Sequence, residues 1–343
     1  MVGGGFAGLS TAYHLAQRGA HVALLEAATL GAGASGRTGG LVLEGTAAGP
    51  LPEVEHCLEA ISTVVRDAAI DCELELPGCV QVRHAAQPSG RGPDWRDGEQ
   101  WIVAADLEPG GTVHPGKLVA GLAAAARAAG AVICESVSVQ TIGSSHDGAY
   151  RLRCSPETEI DAAHVVLTVN AYTPQLVRLP PAFRAALTLA LCTAPIDQAG
   201  IAALGLADRR PFYTLDLPYL WGRRLHDGRL ILGVGLVFPA DGDVRSVALE
   251  QSDSVEAMQR LESRVHRFHP ALAEVPVTHR WGGPIAFRPG GAPILARLPE
   301  QPGVIVCGGC AGHGVALSIR LGQLIAAAVL DGATLPDWGA LPE

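Results

Sequence analysis

A glycine-rich turn at the start of the chain constrains its fold more than any other feature. The turn reads Gly3-x-Gly5-x-x-Gly8, and a helix-like segment (11–18) and an apolar segment ending at Glu26 follow it. Such a turn lets the backbone approach a pyrophosphate closely, and it directs the N-terminus of the next helix at the negative charge. The sequence therefore predicts the strand–turn–helix unit of a nucleotide-binding domain.

Glu26 gives the predicted site a second element. It ends the apolar segment 21–25, about twenty residues after the glycines. A carboxylate at that place can accept hydrogen bonds from both hydroxyls of a ribose, which favours FAD or NAD over NADP. Phe6, Ala7 and Ala27 complete this part of the predicted cofactor-binding set.

The segment before the turn departs from the usual pattern. Only Met1 and Val2 precede Gly3, where a buried strand of several apolar residues normally stands. We therefore expect the first strand of the nucleotide-binding domain to be nearly absent. Two explanations are open, a mis-assigned start and a truncated form, and either would weaken cofactor binding because that strand holds the turn in place.

Composition limits the class of protein. A chain of 343 residues is long enough for two domains, and 48% hydrophobic with 17% charged residues excludes general disorder. The net charge of -9 argues against nucleic acid or an anionic membrane as the main partner. The apolar run Leu321–Leu330 is too short to cross a membrane, and no signal peptide precedes the glycine turn. We therefore expect a cytoplasmic protein.

Cysteine and lysine usage bears on the chemistry. The eight cysteines are scattered, and in a cytoplasmic protein we expect free thiols. Cys307 and Cys310 have the spacing of a redox or zinc pair, but no second pair or nearby histidine couple completes a site, so we predict no metal. Lys117 is the only lysine, which argues against a Schiff-base enzyme.

Nucleotide-domain patterns recur in the middle and at the end of the chain. The segment Pro115–Ala129, which Gly130 follows, predicts a helix, and the segments Ala131–Val139 and His164–Val169 predict strands of the parallel sheet. Proline-punctuated strands and one charged helix, Val255–Phe268, lie between the middle and the end. We also predict a helix over 53–68, a strand over 73–82, a loop over 85–98, a strand over 303–307 and a helix from there to residue 330.

These patterns predict an α/β fold, α+β overall. A Rossmann-like nucleotide-binding domain would comprise residues 1–80, 112–175 and 297–343. An antiparallel-sheet domain, residues 81–111 and 176–296, would interrupt it twice.

Five segments in a fixed order identify a family. They are the opening 3–26, GASGRTGG (33–40), VHPGKL (113–118) continuing to 135–139, VNAYT (169–173), and RWGG (280–283) continuing to Pro293 and GHGVALS (312–318). With these segments the chain resembles the D-amino-acid oxidase and glycine oxidase superfamily of FAD-dependent amine oxidoreductases, and within it the gamma-glutamylputrescine oxidase branch. The resemblance implies an FAD-binding domain, a substrate domain, and hydride transfer from the carbon next to a neutral amine to flavin N5.

The resemblance also places the flavin. Its ring would lie at Gly312–Val315, where backbone N–H groups and a helix N-terminus can stabilise the charge that collects at N1 and the C2 oxygen when a flavin takes up a hydride. Further cofactor-binding residues implied are Ser35, Arg37, Thr38, Gly39, Gly40 and Leu41 at the pyrophosphate and flavin edge, Val139 at the adenine, Asn170 and Ala171 near the FAD, and Gly312, His313, Gly314, Val315 and Ala316 at the ring.

Two residues are candidates for a role in catalysis. His313 is the titratable residue set at the predicted flavin edge. Because the family chemistry requires no strong base, we interpret it as a positioning and electrostatic group rather than a proton acceptor. Trp281 is predicted to wall the substrate cavity, with a core tryptophan as the alternative.

Departures from the family pattern refine the expected chemistry. Amino-acid-oxidising relatives place an arginine where this chain has Pro284–Phe287, which favours an amine substrate, although Arg288 is close enough to reopen the question. The sarcosine-oxidase branch tethers its flavin through a cysteine near the position of Gly283, so we expect non-covalent FAD. Thr38 and Gly290 replace the usual Asn and Asp, and the stretch 82–113 is shorter than in most relatives.

Three functions remain open. The leading hypothesis is an FAD-dependent amine oxidoreductase that oxidises a C–N bond to an imine and passes electrons to oxygen or another acceptor. The second is a glycine, D-amino-acid or N-methyl amino-acid oxidase. The third is a flavin-free, non-catalytic remnant that acts as a binding or scaffold protein, which the short first strand and the shortened middle motivate.

Overall fold

The computed structural model describes residues 1–90, 94–145, 148–179, 183–217 and 219–341. Five short segments lie outside the described residues: 91–93 of the predicted loop, 146–147, 180–182 and 218 of the predicted domains, and 342–343 at the end of the last segment. The described helices are α1 (Phe6–Gln17), α2 (Cys57–Asp67), α3 (Pro115–Ala128), α4 (Gln198–Ala203), α5 (Ser252–Phe268) and α6 (Gly314–Leu330). The strands are β1 (Ala23–Leu25), β2 (Leu41–Leu43), β3 (Cys79–Ala85), β4 (Asp94–Asp97), β5 (Gln100–Glu108), β6 (Gly110–Thr112), β7 (Val132–Cys134), β8 (Ser138–Ser144), β9 (Tyr150–Ser155), β10 (Thr158–Ala162), β11 (Val165–Leu167), β12 (Arg184–Thr193), β13 (Phe212–Thr214), β14 (Trp221–Arg224), β15 (Leu230–Val237), β16 (Val277–Phe287), β17 (Ile294–Leu298) and β18 (Gln301–Gly308).

The start of the chain lies in the middle of a parallel sheet. β1 pairs parallel with β7, and β11 pairs parallel with β18. Val2 joins these two pairs through parallel bridges to Leu25 and Leu167. On the β11 side its N–H donates to the Val166 carbonyl and its carbonyl accepts from Thr168 N, both at 2.9 Å. On the β1 side Gly3 N donates to the Leu25 carbonyl and Leu25 N donates to the Met1 carbonyl, also at 2.9 Å. The first strand is reduced to this bridge, as the sequence predicts, yet its backbone is hydrogen-bonded on both sides.

Helices α1 and α6 run parallel on this sheet. Near their starts, Ser10 Oγ donates to the Ile319 carbonyl at 3.2 Å, and a Cβ added at Gly322 would lie 2.4 Å from Ser10 Oγ. Near their ends, Arg18 and Asp331 form an ion pair of 2.6 Å. Contacts start-to-start and end-to-end mean that both N-termini, which are the positive ends of the two helix dipoles, lie at the same edge of the sheet.

The second large element is an eight-stranded sheet in the order β16-β12-β15-β14-β13-β3-β5-β4. Along β12 the buried residues Leu187, Leu189 and Leu191 join a core with Leu261 and Val265 of α5. Side chains alternate along a strand, so the even-numbered residues of β12 lie on the opposite face. The sheet therefore has one face covered by α5 and a second face available to the rest of the chain.

Some predicted element bounds are wrong. The predicted strand 131–139 is two strands, because β7 ends at Cys134 and β8 begins at Ser138 in an antiparallel sheet with β9 and β10. Between them Ser136 has a φ of 59°, which a continuous strand cannot accommodate. The predicted helix 53–68 begins only at Cys57, because Glu53 and His56 have φ values of 64° and 62°. The strand predicted over 73–82 is β3, which begins at residue 79.

The predicted loop 85–98 contains an edge strand. Residues 94–97 form β4, which pairs antiparallel with β5. Trp95 anchors this strand because its ring is 1% exposed, with centroids 4.4 Å from Phe212 and 4.6 Å from Phe268. Composition alone predicted a loop, whereas burial of one tryptophan makes the segment a strand. None of the helices in the described ranges is both long and apolar enough to cross a membrane.

Candidate cofactor-binding and active site

The glycine turn brings α1 as close as possible to the sheet. A Cβ at Gly8 would lie 2.0 Å from the Gly3 carbonyl oxygen, and one at Gly5 would lie 2.7 Å from Ser35 Oγ. Gly3 itself has a φ of 105°. Gly5 is the N-cap of α1, and the Phe6 N–H donates to Ser35 Oγ at 2.9 Å. The three glycines thus allow α1 to begin directly against the turn, and a helix N-terminus at this place suits a pyrophosphate.

Glu26 is fixed directly beside this turn. Its Oε2 accepts from Gly4 N at 2.7 Å and its Oε1 accepts from Ala28 N at 2.9 Å. Each carboxylate oxygen has a second lone pair, so the group can still accept from hydroxyls. The Glu26 carbonyl accepts from Val137 N at 2.9 Å, which brings the nearby start of β8, with Val139, to the same end of the sheet. Ala27 is exposed next to the carboxylate.

The segment from Gly31 to Leu41, here called the cofactor loop, is attached at both ends. Gly31 N donates to the Gly4 carbonyl at 3.0 Å, which joins the loop to the glycine turn. At the other end, Gly40 has a φ of 77° and donates to Thr38 Oγ1 at 3.3 Å before Leu41 begins β2. Within the loop, Gly36 N donates to the Gly31 carbonyl at 2.9 Å and Arg37 N donates to the Ala34 carbonyl at 3.1 Å, so internal hydrogen bonds stabilise it.

A second turn, between β18 and α6, lies close to the end of β11. Asn170 Oδ1 accepts from Gly309 N at 2.9 Å, and Ala311 N donates to the Ala286 carbonyl at 3.1 Å. Ala311 and Gly312 have φ values of 50° and 90°, so the backbone reverses sharply before α6. The predicted residues Ala171, Val315 and Ala316 are buried around this turn.

His313 is the N-cap residue of α6, and its imidazole is half-buried. Its Nδ1 is buried with no hydrogen-bond partner among the described residues. Burial lowers the pKa of His313 below its ordinary value, so the ring is neutral at pH 7. A neutral imidazole with an unpartnered buried nitrogen fits a site completed by a bound group.

The cysteines beside this turn are not reactive thiolates. Burial raises the pKa of Cys310 to about 12 and that of Cys307 well above its ordinary value. All eight cysteines are free. No cluster of His, Cys, Asp and Glu suited to a metal ion occurs in the part of the chain that the structure describes.

Strand β16 joins the cofactor loop to the second turn. Trp281 Nε1 donates to the Arg37 carbonyl at 2.8 Å, and a Cβ at Gly283 would lie 3.4 Å from Arg37 Cβ. Ile285 Cδ1 lies 3.8 Å from the position of a Cβ at Gly312. Residues 281, 283 and 285 lie on one face of the sheet because they alternate along the strand. The predicted site residues from both turns therefore meet the face of the large sheet that α5 leaves uncovered.

Sequence reasoning missed residues that contact the predicted site. The ring of Trp221 packs against Gly39, and Arg223, 6% exposed, packs against Gly40. Thr168 Oγ1 lies 2.9 Å from the Val2 carbonyl oxygen beside the glycine turn. Alternation along β14 could have placed Trp221 and Arg223 on one face, but no sequence signal shows which part of the chain that face meets.

A separate cleft of about 670 Å³ lies between β4 and α5. Its lining includes His84, Asp97 and Arg264, and none of its lining residues belongs to the predicted site. Asp97 Oδ2 lies 2.7 Å from both His84 Nε2 and Arg264 Nη2. These ion pairs fasten α5 to the edge of the sheet.

Comparisons with known proteins establish the family. The model of the family DAO, "FAD dependent oxidoreductase", matches residues 1–328, so the chain belongs to the DAO family of FAD-dependent oxidoreductases. Its homologues act on C–N bonds of amines and amino acids. The family resemblance predicted from the five segments is confirmed.

Individual relatives agree with this assignment. The chain is 26% identical over 379 residues to the probable oxidoreductase OrdL of Rhizobium meliloti (strain 1021), covering 98% of this chain and 84% of the relative. It is 26% identical over 372 residues to gamma-glutamylputrescine oxidoreductase of Escherichia coli (strain K12), covering 95% of this chain and 82% of the relative. The crystal structure of glycine oxidase from Geobacillus kaustophilus superposes with a TM-score of 0.76 at 20% identity, covering 99% of this chain and 97% of that one. The structural likeness supports the predicted fold.

Proposed function

We propose that the chain is an FAD-dependent amine oxidoreductase that removes a hydride from the carbon next to an amine nitrogen and yields an imine. The juxtaposition of the glycine turn, the cofactor loop and the start of α6 carries this proposal. The N-termini of α1 and α6 lie at one edge of the sheet, and Glu26 stands beside the first of them. Two helix N-termini and a carboxylate suit the pyrophosphate, the flavin ring and the ribose.

The described residues fit FAD in specific ways. Gly3, Gly5 and Gly8 allow the turn and the N-terminus of α1 to pack directly against each other, since an added Cβ at any of them would lie within 2.9 Å of a protein atom. Glu26 retains acceptor capacity for ribose hydroxyls. The buried Nδ1 of His313 lacks a partner among the described residues. FAD, when bound, supplies the two-electron acceptor for C–N bond oxidation. We propose that the predicted cofactor-binding residues hold it within a domain of residues 1–80, 112–175 and 297–343, with residues 81–111 and 176–296 forming the substrate domain.

His313 and Trp281 take positioning roles in this proposal. His313 stays neutral near pH 7 because burial lowers its pKa, so it can orient a polar group by one hydrogen bond without bringing a charge. Trp281 presents its ring on the sheet face that meets the cofactor loop, where it would wall the substrate cavity. The backbone N–H groups at the start of α6 stabilise negative charge at the flavin edge.

Two observations support non-covalent FAD. Gly283, at the place of the tethering cysteine in the sarcosine-oxidase branch, contacts Arg37 and offers no nucleophile. Cys310 lies close to the start of α6, but with a pKa of about 12 it remains a thiol near pH 7. The free state of all eight cysteines supports a reducing compartment, and we propose the cytoplasm.

The surroundings of Arg288 favour an amine over an amino acid. Arg288 donates to the Ala292 carbonyl at 2.9 Å, to the Ala340 carbonyl at 2.7 Å and to the Trp338 carbonyl. A guanidinium committed to three backbone carbonyls is not available to clamp a substrate carboxylate. Since Pro284–Phe287 also lacks a cation, an amine such as a gamma-glutamylputrescine-like compound is the favoured substrate class.

Arg37 supports the second candidate, an amino-acid or N-methyl amino-acid oxidase. This residue is exposed at the edge of the predicted active site, and its Nη1 donates to the Gly282 carbonyl at a long distance of 3.3 Å. A guanidinium so placed could bind a carboxylate.

Anaerobic mixing of the FAD-loaded protein with a matched substrate panel tests the proposal. Putrescine and gamma-glutamylputrescine should bleach the flavin absorption, while glycine, D-alanine and N-methylglycine should leave it unchanged. Bleaching only by the amino acids would favour the second candidate. Bleaching by none of these compounds would count against both. Admitting oxygen after bleaching then shows whether oxygen or another compound accepts the electrons.

A further inference from the structure

We propose that Trp221 is a positioning residue that sets the place of the cofactor loop. The large sheet, through β14, would then contribute to how tightly FAD is held, although neither β14 nor β15 belongs to the predicted cofactor-binding set. This inference rests on the proposed FAD-binding function.

The indole of Trp221 packs against two glycines. A Cβ at Gly39 of the cofactor loop would lie 2.0 Å from its Cζ3, and a Cβ at Gly233 of β15 would lie 2.0 Å from its Cζ2. Carbon atoms of folded proteins do not approach so closely. The ring therefore needs glycine at both positions, and we expect a displacement at Gly233 to reach the cofactor loop through it.

Sheet register places the cofactor loop between two tryptophans. Trp281 pairs with Ala190, Ala190 pairs with Gly233, and Gly233 pairs with Trp221. Directly paired residues share a face of a sheet, so both indoles lie on the same face in one row, separated by Ala190 and Gly233. Trp281 binds the loop at the Arg37 carbonyl and Trp221 packs on Gly39. The row thus fixes two loop positions that are two residues apart.

Arg223 adds a third contact from the same strand. It lies two residues after Trp221 and hence on the same face, and its Cζ is 3.2 Å from the position of a Cβ at Gly40. Its Nη1 donates to the Val113 carbonyl at 2.8 Å, and Val113 N donates to the Gly40 carbonyl at 2.9 Å. Trp221 and Arg223, which follow each other on this face of β14, therefore contact Gly39 and Gly40, which follow each other in the cofactor loop.

The decisive variant is Gly233→Ala. The three atoms nearest to its new methyl group all belong to the Trp221 indole, so the substitution would displace the ring that packs on Gly39. The matched control is Gly222→Ala on β14, where the Cβ would lie 2.7 Å from Phe212 Cζ. Gly222 adjoins Trp221 in sequence and therefore faces the opposite side of the sheet. Both variants crowd an aromatic ring, but only the first crowds one that contacts the cofactor loop.

FAD dissociation constants of the apoproteins and their melting temperatures give the readout. We expect Gly233→Ala to raise the Kd for FAD about tenfold, as overpacking of this severity implies. Gly222→Ala should lower the melting temperature and leave the Kd within about twofold of wild type. In a Trp221→Leu background, where the smaller side chain leaves room for the methyl group, Gly233→Ala should change the Kd little further.

An unchanged Kd in a folded Gly233→Ala protein, or equal effects of the two glycine variants on Kd, would overturn the inference alone. If Gly233→Ala does not fold, Trp221→Phe and Trp221→Leu give the comparison. The Kd for FAD should rise as the side chain at position 221 becomes smaller. A Kd equal to that of the wild type in both variants would refute the role of Trp221. A wild-type chain that takes up no FAD refutes the proposed function and this inference with it.

Discussion

Gly8→Ala is the sharpest perturbation of the predicted pyrophosphate site. The new Cβ would lie 2.0 Å from the Gly3 carbonyl oxygen and 2.7 Å from Thr168 Oγ1. Both neighbours belong to the hydrogen-bonded centre of the sheet, so neither can rotate away. Because real Cβ contacts are not shorter than 3.0 Å, α1 must move by about 1 Å relative to the turn.

The expected effects follow from that displacement. Overpacking of a rigid site lowers the free energy of unfolding by about 1–3 kcal/mol. For 343 residues the entropy of unfolding is about 0.7 kcal/mol/K, so the apoprotein should melt about 1–4 °C lower. FAD binding should suffer as well, because the shift separates the first N–H groups of α1 from the glycine turn, and a rise of about tenfold or more in Kd is expected.

Titration of apoprotein with FAD, followed by quenching of flavin fluorescence, gives the Kd, and thermal unfolding gives the stability. The matched control is Gly143→Ala on β8, where an added Cβ meets nothing within 4 Å. It should bind FAD as the wild type does. If Gly8→Ala also bound FAD with the wild-type Kd, the role assigned to the glycine turn would be wrong.

Two further predictions concern single side chains. Glu26→Gln keeps the shape of the side chain but removes the negative charge that accepts from Gly4 N, so the Kd for FAD should rise about tenfold. The control Glu55→Gln, at an exposed position, should leave the Kd unchanged. Equal Kd values for the two variants would contradict the ribose role of Glu26. Burial lowers the pKa of His14 from 6.5 to about 4, so His14 binds a proton more readily in the unfolded chain than in the folded one. The free energy of unfolding should therefore fall by about 2 kcal/mol between pH 7 and pH 5. This loss begins as the pH falls through 6.5 and is complete below the folded-state pKa. His14→Leu should flatten that part of the stability profile measured by urea unfolding, and an unchanged slope would show that His14 is not its source.

The sequence was most informative where the backbone itself forms the predicted site. Glycines at 3, 5 and 8, the acid at 26 and the turn at 312–314 are local patterns, and local patterns specify close backbone approach and helix starts. Helix α3 was predicted for the same reason, because Pro115 and Gly130 are local start and stop signals.

Errors arose where one tertiary contact overrides a local preference. Burial of Trp95 turns a Pro/Gly-rich loop into the edge strand β4, and the left-handed residue Ser136 divides one apolar run into two strands of different sheets. The contacts of Trp221 and Arg223 with the cofactor loop depend on long-range sheet register. Register joins residues more than a hundred positions apart, and a single sequence carries no signal for it.

The visible absorption spectrum of the purified protein, before and after acid precipitation, tests the central proposal most directly. A flavin band that leaves with the supernatant is the predicted result and establishes bound, non-covalent FAD. A band that remains in the pellet would contradict non-covalent binding and the reading of Gly283. A colourless protein that takes up no added FAD would contradict the proposal that this chain is an FAD-dependent amine oxidoreductase.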